Sequence, residues 1–448
     1  MAVQSHDHRL AGPRPYSAAP TGSRARLGPA VRATRWRDIA AYLASLIIIL
    51  IYSQSWAAPL TGYGERDADF LRHFYYPAYG LALVIVLSRP GHAFRAVVST
   101  PWLLLLLALV ALSSLWSIDP GVTQRRLVAL TFTSLGGVAL AIRWQWRTLI
   151  ELFAIAFGIM AVTALFLGVV LSDMGRMQEI FPGAWRGPWL EKNALGENMG
   201  LATIFGIVAG VLVPQRRWLW FAIAALAAGL VVLSTSKTSL LVLIISLCSL
   251  TFVALVKRGP ILAVLATWLS VFVVAAAAAF ITVFTDTFLD FLGKDATLTG
   301  RTEIWGGILR QMQDHVWTGV GYGVAWDDES LYGAKAWIAH EAKFTAAHAH
   351  NGWLELYLGL GLPGVILFGL WFVEMWGRAL WSAYGRIAGW ILVPMMTAYT
   401  LTMLSESITM VWHNLRWVLF VALALKAAMG LAEPAPPVIQ PRRRRRPF

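Results

Sequence analysis

The sequence predicts an all-α integral membrane protein with about twelve transmembrane helices. The 448-residue chain is 58% hydrophobic and only 14% charged, and its mean hydropathy is +0.62, far above that of an ordinary soluble domain. Apolar runs recur along the chain, each close to the roughly 20 residues that a helix needs to cross about 30 Å of hydrocarbon. Because a helix satisfies its own backbone hydrogen bonds in lipid, a single helical bundle is favoured over separate soluble domains.

Twelve apolar runs define the predicted spans. They cover residues 39–58, 73–88, 101–117, 126–142, 149–172, 198–213, 217–234, 239–256, 261–284, 351–377, 388–404 and 413–430. The organisation that follows is a disordered basic tail, nine spans, a large loop with short amphipathic helices and catalytic elements, three spans and a second basic tail. These five parts are residues 1–38, 39–284, 285–350, 351–430 and 431–448.

The distribution of basic residues predicts the orientation of the bundle. Lys and Arg concentrate in both tails and in alternate short loops, which the positive-inside rule assigns to the cytoplasm. Both termini are therefore expected in the cytoplasm and residues 285–350 on the opposite side. The net charge of +13 then reflects topology and attraction to anionic membrane lipids. A nucleic-acid partner is not expected, because the tails lack interleaved aromatic residues and no nucleic-acid-binding fold accompanies them.

Polar chemistry concentrates in the segment 285–350, which holds four of the nine histidines. Helical spacing there predicts a short amphipathic helix with Arg301 in its first turn. Its apolar face would consist of Ile304, Trp305, Ile308, Leu309 and Met312. Arg301 either grips an anion together with the exposed N–H groups of that turn or is a solvated, snorkelling arginine. The glycines of "TGVGYG" (318–323) predict a turn back toward the membrane.

Three motifs in this region, in order, resemble the O-antigen ligase and O-antigen polymerase superfamily, and exopolysaccharide polymerases within it. They are "GRTEIW" (300–305), "TGVGYG" and "HNGWLELYLGLGLPGVILFGLW" (350–371). An upstream stretch, "WRGPWLEKNALGENMG" (185–200), resembles a loop of the same family, although Glu191 stands where histidine is common. The resemblance extends over about residues 100–425 and is most specific at the His-Asn pair.

The resemblance implies glycosyl transfer at the outer face of a bacterial inner membrane. The donor would be a glycan on undecaprenyl diphosphate, and the acceptor a hydroxyl of another glycan. A diphosphate leaves readily once its charge is neutralised, and arginine binds phosphate oxygens bidentately. The predicted cations are Arg301 and Arg186, followed by Lys192 and Arg125; Asn193 belongs to the same upstream motif.

His350 is the predicted catalytic base, because a neutral imidazole can take the proton of an acceptor hydroxyl near pH 7. Asn351, which is also predicted to bind substrate, follows it and would share a helix face with Glu355. Attack opposite the leaving diphosphate would invert the anomeric carbon without a covalent enzyme intermediate. Glu406 is either a functional carboxylate at the membrane edge, paired with Arg416, or part of a wet loop.

No cofactor and no metal ion are expected. Asp327, Asp328 and Glu329 are interpreted as a solvated turn, since consecutive acids rarely converge on one ion. Cys248 is the only cysteine, so neither an intrachain disulfide nor a thiolate metal site is possible.

Three functions remain open. The first is a polymerase that joins lipid-linked repeat units, with a chain-length regulator as a further partner. The second is a ligase that moves a finished glycan onto lipid A core or a protein. The third is a transporter or lipid-carrier flippase, which should show charges midway along several spans. The predicted spans are nearly free of such charges, which favours an enzyme.

Overall fold

The computed structural model describes residues 29–63, 69–179, 181–283, 300–327, 330 and 333–430. Within these ranges the chain is almost wholly helical, and its one β-bridge joins Arg176 to Trp185. The predicted all-α fold is therefore confirmed. Residues 1–28, 284–299 and 431–448, which carry most of both predicted tails and the start of the predicted loop, lie outside the described residues.

The α-helices of eight residues or more follow one another along the whole described chain. Their bounds are Pro29–Tyr52, Tyr76–Leu87, Pro90–Val98, Trp102–Ser113, Pro120–Arg143, Trp146–Val170, Lys192–Leu212, Arg217–Leu233, Lys237–Val256, Pro260–Val283, Arg301–Gln311, Ala334–Ala342, Gly352–Ala383, Gly389–Met403 and Leu415–Ala428. Shorter α-helical turns are Ala57–Leu60 and Ser172–Gly175, and 3-10 turns are Asp69–Tyr75, Pro214–Arg216 and Met312–Asp314.

Each of the twelve predicted spans coincides with a helix, but the count of twelve membrane crossings is not confirmed. Among the described residues, eight helices are long and apolar enough to cross a membrane, or up to nine if a bent pair is one span. That pair, Pro90–Val98 and Trp102–Ser113, bends by 82° where the sequence predicts a single span at 101–117. The helices Gly389–Met403 and Leu415–Ala428 have only 15 and 14 residues.

Helix ends follow local sequence signals. Asp119 caps Pro120–Arg143 by accepting a hydrogen bond from the Val122 N–H, and Asn414 caps Leu415–Ala428 through the Arg416 N–H. The first helix begins at Pro29, so residues 29–38, which the sequence assigns to the basic tail, are helical. Contacts divide the chain into two units, Met1–Ala41 and Tyr42–Phe448. In the first, the described residues form the opening of that helix.

The core of the larger unit lies where small residues let helices approach closely. Pro120–Arg143 packs on Leu415–Ala428, and a Cβ at Gly137 would meet the Val421 side chain at 2.7 Å. Aromatic side chains of Gly352–Ala383 and Leu415–Ala428 fill the same region, with the Trp371 and Phe420 rings 5.0 Å apart. Close packing through small residues is typical of helices in lipid, where apolar burial between them gains little.

Apolar side chains also cover outward-facing helices. In Pro260–Val283, Trp268 and Phe272 are each 70% exposed and Val274 is 68% exposed. Exposed apolar side chains along a whole helix would promote aggregation in water, but they are expected on a helix that faces lipid. The protein is therefore a multi-pass membrane protein.

Candidate active site

The described residues between 300 and 350 fold into a small layer with its own apolar core. The helix Arg301–Gln311 packs on Ala334–Ala342 and contacts Gly352–Ala383. Ile304, Ile308 and Met312 are buried, as their spacing predicts, whereas Leu309 is 54% exposed and the prediction for it is wrong. Arg301 is the first helical residue, directly after Gly300 at φ +84°. The layer thus holds the Arg301 side chain at one fixed end of a helix.

The glycine turn at 318–323 fastens this layer to the long helix Gly352–Ala383. The Val320 N–H donates to the Leu358 carbonyl at 2.9 Å, and the Leu362 N–H donates to the Val316 carbonyl at 2.8 Å. The long helix is kinked at Gly361, where φ is +64°. A Cβ there would lie 2.7 Å from the Trp317 carbonyl carbon. Glycine is therefore required for both the kink and the close approach.

Asn351 has a structural role at the start of the long helix. Its side-chain oxygen accepts hydrogen bonds from the Trp353 N–H at 2.9 Å and the Leu354 N–H at 3.2 Å, as an N-cap does. The side-chain oxygen of this predicted substrate-binding residue is thus engaged by the backbone. Capping also determines where the preceding residue, His350, emerges, and that residue adopts φ +49°, a left-handed conformation that histidine tolerates better than most side chains.

Glu355 ties three loops together beneath the His-Asn pair. Its carboxylate accepts hydrogen bonds from the Trp326 Nε1–H at 2.6 Å, the Ala349 N–H at 3.0 Å and the Ser407 Oγ–H at 2.9 Å. These contacts join the segments before the long helix, after the glycine turn and after the helix Gly389–Met403. A partly buried carboxylate with three donors organises its surroundings.

Arg301, His350 and Glu406 converge into one cluster, called the triad here. The Arg301 Nη2 lies 3.3 Å from Glu406 Oε1 and 3.4 Å from His350 Nδ1. The His350 Nδ1 lies 3.3 Å from Glu406 Oε2. The side chains of Arg301 and Glu406 are 12% and 16% exposed, and that of His350 is 29% exposed. Two largely buried charges therefore hold an imidazole that remains accessible.

The His350 Nδ1 faces both a donor and an acceptor, so its two contacts define two tautomers. An unprotonated Nδ1 accepts from the Arg301 guanidinium, whereas a protonated Nδ1 donates to the Glu406 carboxylate. In the second tautomer the Nε2 lone pair is free. A carboxylate that binds Nδ1–H orients the ring and stabilises the imidazolium formed when Nε2 takes a proton. The triad can therefore act as an oriented base beside a fixed cation.

Burial by itself raises the pKa of Glu406. The hydrogen bond with His350 and the electrostatic influence of His350, His348 and Arg301 outweigh burial, so the pKa of Glu406 lies below its usual value. Glu406 is therefore a carboxylate at neutral pH. This supports the prediction that Glu406 is a functional carboxylate. The prediction that Arg416 is its partner is wrong.

Arg416 instead pairs with Glu197, a residue that sequence reasoning missed. The ion pair joins Leu415–Ala428 to Lys192–Leu212, and the side chains are 15% and 11% exposed. Glu197 also lies close enough to Arg301 and Glu406 to interact electrostatically with both. The predicted span began at residue 198, which left Glu197 in a loop. The signal that could have found it is an acid within a helix otherwise suited to the membrane.

His348 extends the triad toward a neighbouring cavity. Its ring centroid lies 3.9 Å from that of His350, and its Nδ1 accepts from the His350 N–H at 3.3 Å. His348, His350 and Glu406 bring three potential metal-ligand atoms within 4.8 Å of one another. They could hold a divalent ion, but the Arg301 guanidinium touching two of them opposes a second cation. The expectation of no metal remains a prediction.

The remaining predicted cations contact other parts of the fold. Arg186 donates to the Met174 carbonyl at 2.9 Å and lies 4.0 Å from the Tyr63 ring centroid. Lys192 lies 3.6 Å from the Phe181 ring, and the Asn193 Oδ1 accepts from Ser236 Oγ at 2.9 Å. Arg125 is exposed. The fold therefore does not bring these three cations or Asn193 into the triad.

Arg126, the neighbour of Arg125, faces the motif region. It pairs with Asp327, donates to the Gly323 carbonyl and lies 4.4 Å from the Trp412 ring centroid. Asp327 is thus part of an ion pair, while Asp328 and Glu329 lie outside the described residues. The prediction named Arg125, whereas its neighbour Arg126 in the helix Pro120–Arg143 makes these contacts. The sequence alone could not show which of two adjacent arginines faces the motif region.

The fold and the triad define a multi-pass, all-α membrane protein with a charged cluster built where loops meet the bundle. Residues 222–369 match the family model described as O-Antigen ligase. The chain is also 28% identical over 300 residues to the exopolysaccharide production protein ExoQ of Rhizobium meliloti (strain 1021). The aligned region covers 64% of this chain and 67% of that protein. The matched region includes Arg301, the glycine turn and His350, and the resemblance read from the motifs is confirmed.

Proposed function

We propose that this protein is a membrane enzyme of polysaccharide synthesis. More specifically, we propose a glycosyltransferase that polymerises undecaprenyl-diphosphate-linked oligosaccharides at the periplasmic face of a bacterial inner membrane. The observation that carries the proposal is the triad, which places an arginine guanidinium, a group suited to binding phosphate, against an imidazole oriented by a carboxylate. The resemblance to the O-antigen ligase family and to an exopolysaccharide production protein supports the same class of reaction.

In the proposed reaction, Arg301 binds the diphosphate of the donor. The acceptor hydroxyl oxygen attacks the anomeric carbon and forms the new glycosidic C–O bond. The bond between that carbon and the phosphate oxygen breaks, and its electron pair leaves with the polyprenyl diphosphate. Arginine suits this step because its charge persists in a poorly hydrated site and grows more valuable as negative charge develops on the leaving group. The reaction inverts the anomeric carbon and needs no metal.

The proton of the acceptor hydroxyl passes to His350 Nε2. Glu406 accepts the Nδ1–H, maintains the reactive tautomer and stabilises the resulting imidazolium. His350 is then a catalytic base, and Glu406 is a positioning residue that acts through it. General-base catalysis of this kind contributes roughly 10²–10⁴-fold in rate.

A ligase that transfers a finished glycan to lipid A core or a protein is the second candidate. The description of the matching family model favours it, whereas the similarity to an exopolysaccharide production protein favours the polymerase. A transporter is less well supported, because the three residues of the triad lie at a helix start and in two loops, whereas a transporter should carry charges midway along several spans.

Deletion of the gene tests these alternatives. If the protein is the polymerase, gels of surface polysaccharide should show single repeat units in place of long chains. Long chains that remain on the carrier would indicate a ligase, and an unchanged profile would overturn both. Complementation with wild type should restore chains, whereas His350→Ala should not, although it inserts and accumulates equally. His340→Ala, an exposed histidine of the same layer, is the matched control and should complement.

The proposal also requires residues 300–350 to lie outside the cytoplasm. A membrane-impermeant thiol reagent should label a single cysteine placed at exposed Lys343 in intact spheroplasts, in a background lacking Cys248. Labelling only after membrane permeabilisation would contradict the periplasmic location. A chain-length regulator as partner belongs to the polymerase proposal and should co-purify with the full chain.

A further inference from the structure

Two cavities share a wall, and the smaller of them is lined by His348, which contacts the triad. The larger has a volume of about 870 Å³ and the smaller about 320 Å³, within the range of about 300–1,000 Å³ that is usual for small-molecule sites. Both are lined by Arg126, Trp326, Asp327 and Trp412. We call the two cavities and this shared wall the aromatic cleft.

The shared wall is held rigidly by its own contacts. The Arg126 guanidinium stacks on Trp412 at 4.4 Å from the ring centroid and pairs with Asp327. Trp326 donates through Nε1 to Glu355 at 2.6 Å. Both indoles are partly exposed, so each offers apolar ring surface whose orientation is already determined. A preorganised wall loses little conformational entropy when a ligand binds.

The chemistry of this wall suits a neutral sugar better than a diphosphate. The positive charge of Arg126 is balanced by the Asp327 carboxylate, so the pair carries no net charge to attract an anion. The pair instead offers both donors and acceptors to hydroxyl groups. An indole ring has an apolar face and a polar N–H at its edge, and the face can cover the C–H face of a sugar ring.

The cleft reaches the triad through His348. The smaller cavity is lined by His348 and also by Glu355 and Ser407, and the His348 ring contacts that of His350 at 3.9 Å between centroids. Arg301 is not among the described residues that line either cavity. Arg301, the cation proposed for the diphosphate, is therefore separate from the wall of the cleft. The contact between His348 and His350 connects the two.

We propose that the aromatic cleft is the binding site for the acceptor saccharide. Trp326 and Trp412 stack on its sugar rings, and the Arg126–Asp327 pair forms hydrogen bonds with its hydroxyl groups. A sugar bound there would present its hydroxyl to His350. The inference rests on the glycosyltransferase function proposed above and adds to it a location and a chemical class for the second substrate, the uncharged end of a glycan.

The test uses the purified full chain in detergent. Lipid-linked repeat units extracted from the deletion strain serve as donor, and the oligosaccharide released from them by mild acid serves as a soluble acceptor. Trp412→Leu removes the ring but keeps apolar volume, and should raise the KM for the acceptor about tenfold, the loss of one good ring contact. The KM for the donor should change by less than about twofold. Trp412→Phe should restore most of the acceptor affinity.

Trp337→Leu is the matched control, because Trp337 is 53% exposed on the helix Ala334–Ala342 and lines neither cavity. It should leave both KM values unchanged. If Trp412→Leu changes both KM values equally, or neither, while wild type elongates the acceptor, the cleft assignment is overturned and the enzyme proposal survives. If wild type forms no product, the enzyme proposal fails. Titration calorimetry with the soluble oligosaccharide then tests the cleft directly, and equal binding by wild type and Trp412→Leu rejects it.

Discussion

The carboxylate of Glu406 lies 3.3 Å from the Nδ1 of His350, although 56 positions separate the two residues in the chain. Glu406 lies in the loop after Gly389–Met403, whereas His350 precedes the long helix Gly352–Ala383. The same carboxylate holds the Arg301 guanidinium. One acid thus aligns the cation and the base, and this relationship leads to the first prediction.

Glu406→Gln should lower the turnover rate by roughly 10²–10⁴-fold. The amide N–H can donate to Nδ1, which stabilises the tautomer whose Nε2 already carries a proton. Steady-state kinetics should show the loss in kcat with both KM values nearly unchanged. A rise in KM with kcat intact would contradict a positioning role.

The same variant has a defined pH signature. Because the pKa of Glu406 is lowered in the folded protein, its contribution to stability is present above the unfolded pKa, about 4.3, and is lost as pH falls through the folded value. The difference in Tm between wild type and Glu406→Gln should therefore be constant from pH 7 to about pH 5 and shrink below that. Thermal unfolding in detergent measures it, and a difference that grows with acidity would refute it.

Arg301→Lys should reduce elongation by about 10²-fold even though the charge is retained. A lysine ammonium lacks the planar fork that can bind two phosphate oxygens of the donor at once. Arg310→Lys, on the same helix and 70% exposed, should be indistinguishable from wild type. Full activity of Arg301→Lys in a membrane assay would show that the fork geometry is irrelevant.

Chelation should leave activity intact. Although His348, His350 and Glu406 could together hold an ion, the adjacent guanidinium disfavours a second cation at that point. Elongation is measured after dialysis against excess EDTA, with a magnesium-dependent enzyme treated in parallel. Loss of product that manganese or zinc restores would establish a metal centre instead.

Breaking the Glu197–Arg416 pair should destabilise the fold strongly. Replacing Glu197 by Gln leaves the Arg416 charge in a site where its side chain is only 15% exposed, at a cost of about 3–5 kcal/mol. Glu341→Gln, which breaks an ion pair with the 70% exposed Arg310, should cost less than about 1 kcal/mol. Denaturation of both variants in detergent compares them directly, and equal losses would be inconsistent with a buried pair.

Gly361→Ala should prevent the glycine turn from docking. Gly361 combines φ +64° with a Cβ position 2.7 Å from the Trp317 carbonyl carbon, whereas nothing lies within 4 Å of a Cβ at Gly377 on the same helix. Gly377→Ala should therefore be neutral or stabilising by about 0.5–1 kcal/mol. Limited proteolysis of residues 300–350 should accelerate in Gly361→Ala alone, and equal rates would contradict the docking role.

The twelve apolar runs locate the helices well, since each coincides with one in the structure. The reason is that hydrogen bonding in a helix is local, so hydropathy and caps such as Asp119 are sufficient signals. How many of these helices cross a membrane is less determined by sequence. The sharp bend between Pro90–Val98 and Trp102–Ser113 depends on what packs around the break.

The candidate site, like the fold, could be predicted from the sequence only in part. Arg301, His350 and Glu406 were each identifiable from residue type, position or family motif, but not as one cluster. The use of Arg126 in place of Arg125, the pairing of Arg416 with Glu197 and the capping role of Asn351 all depend on which neighbours the fold supplies.

The sequence by itself thus determined a helical membrane protein and the residue types available for phosphate binding and proton transfer. Only the tertiary structure decided that Arg301 and His350, 49 positions apart, share Glu406, 105 positions beyond Arg301. Helix formation depends on neighbours four residues away, whereas convergence of side chains depends on how loops pack across the end of a bundle. No local pattern encodes those distances.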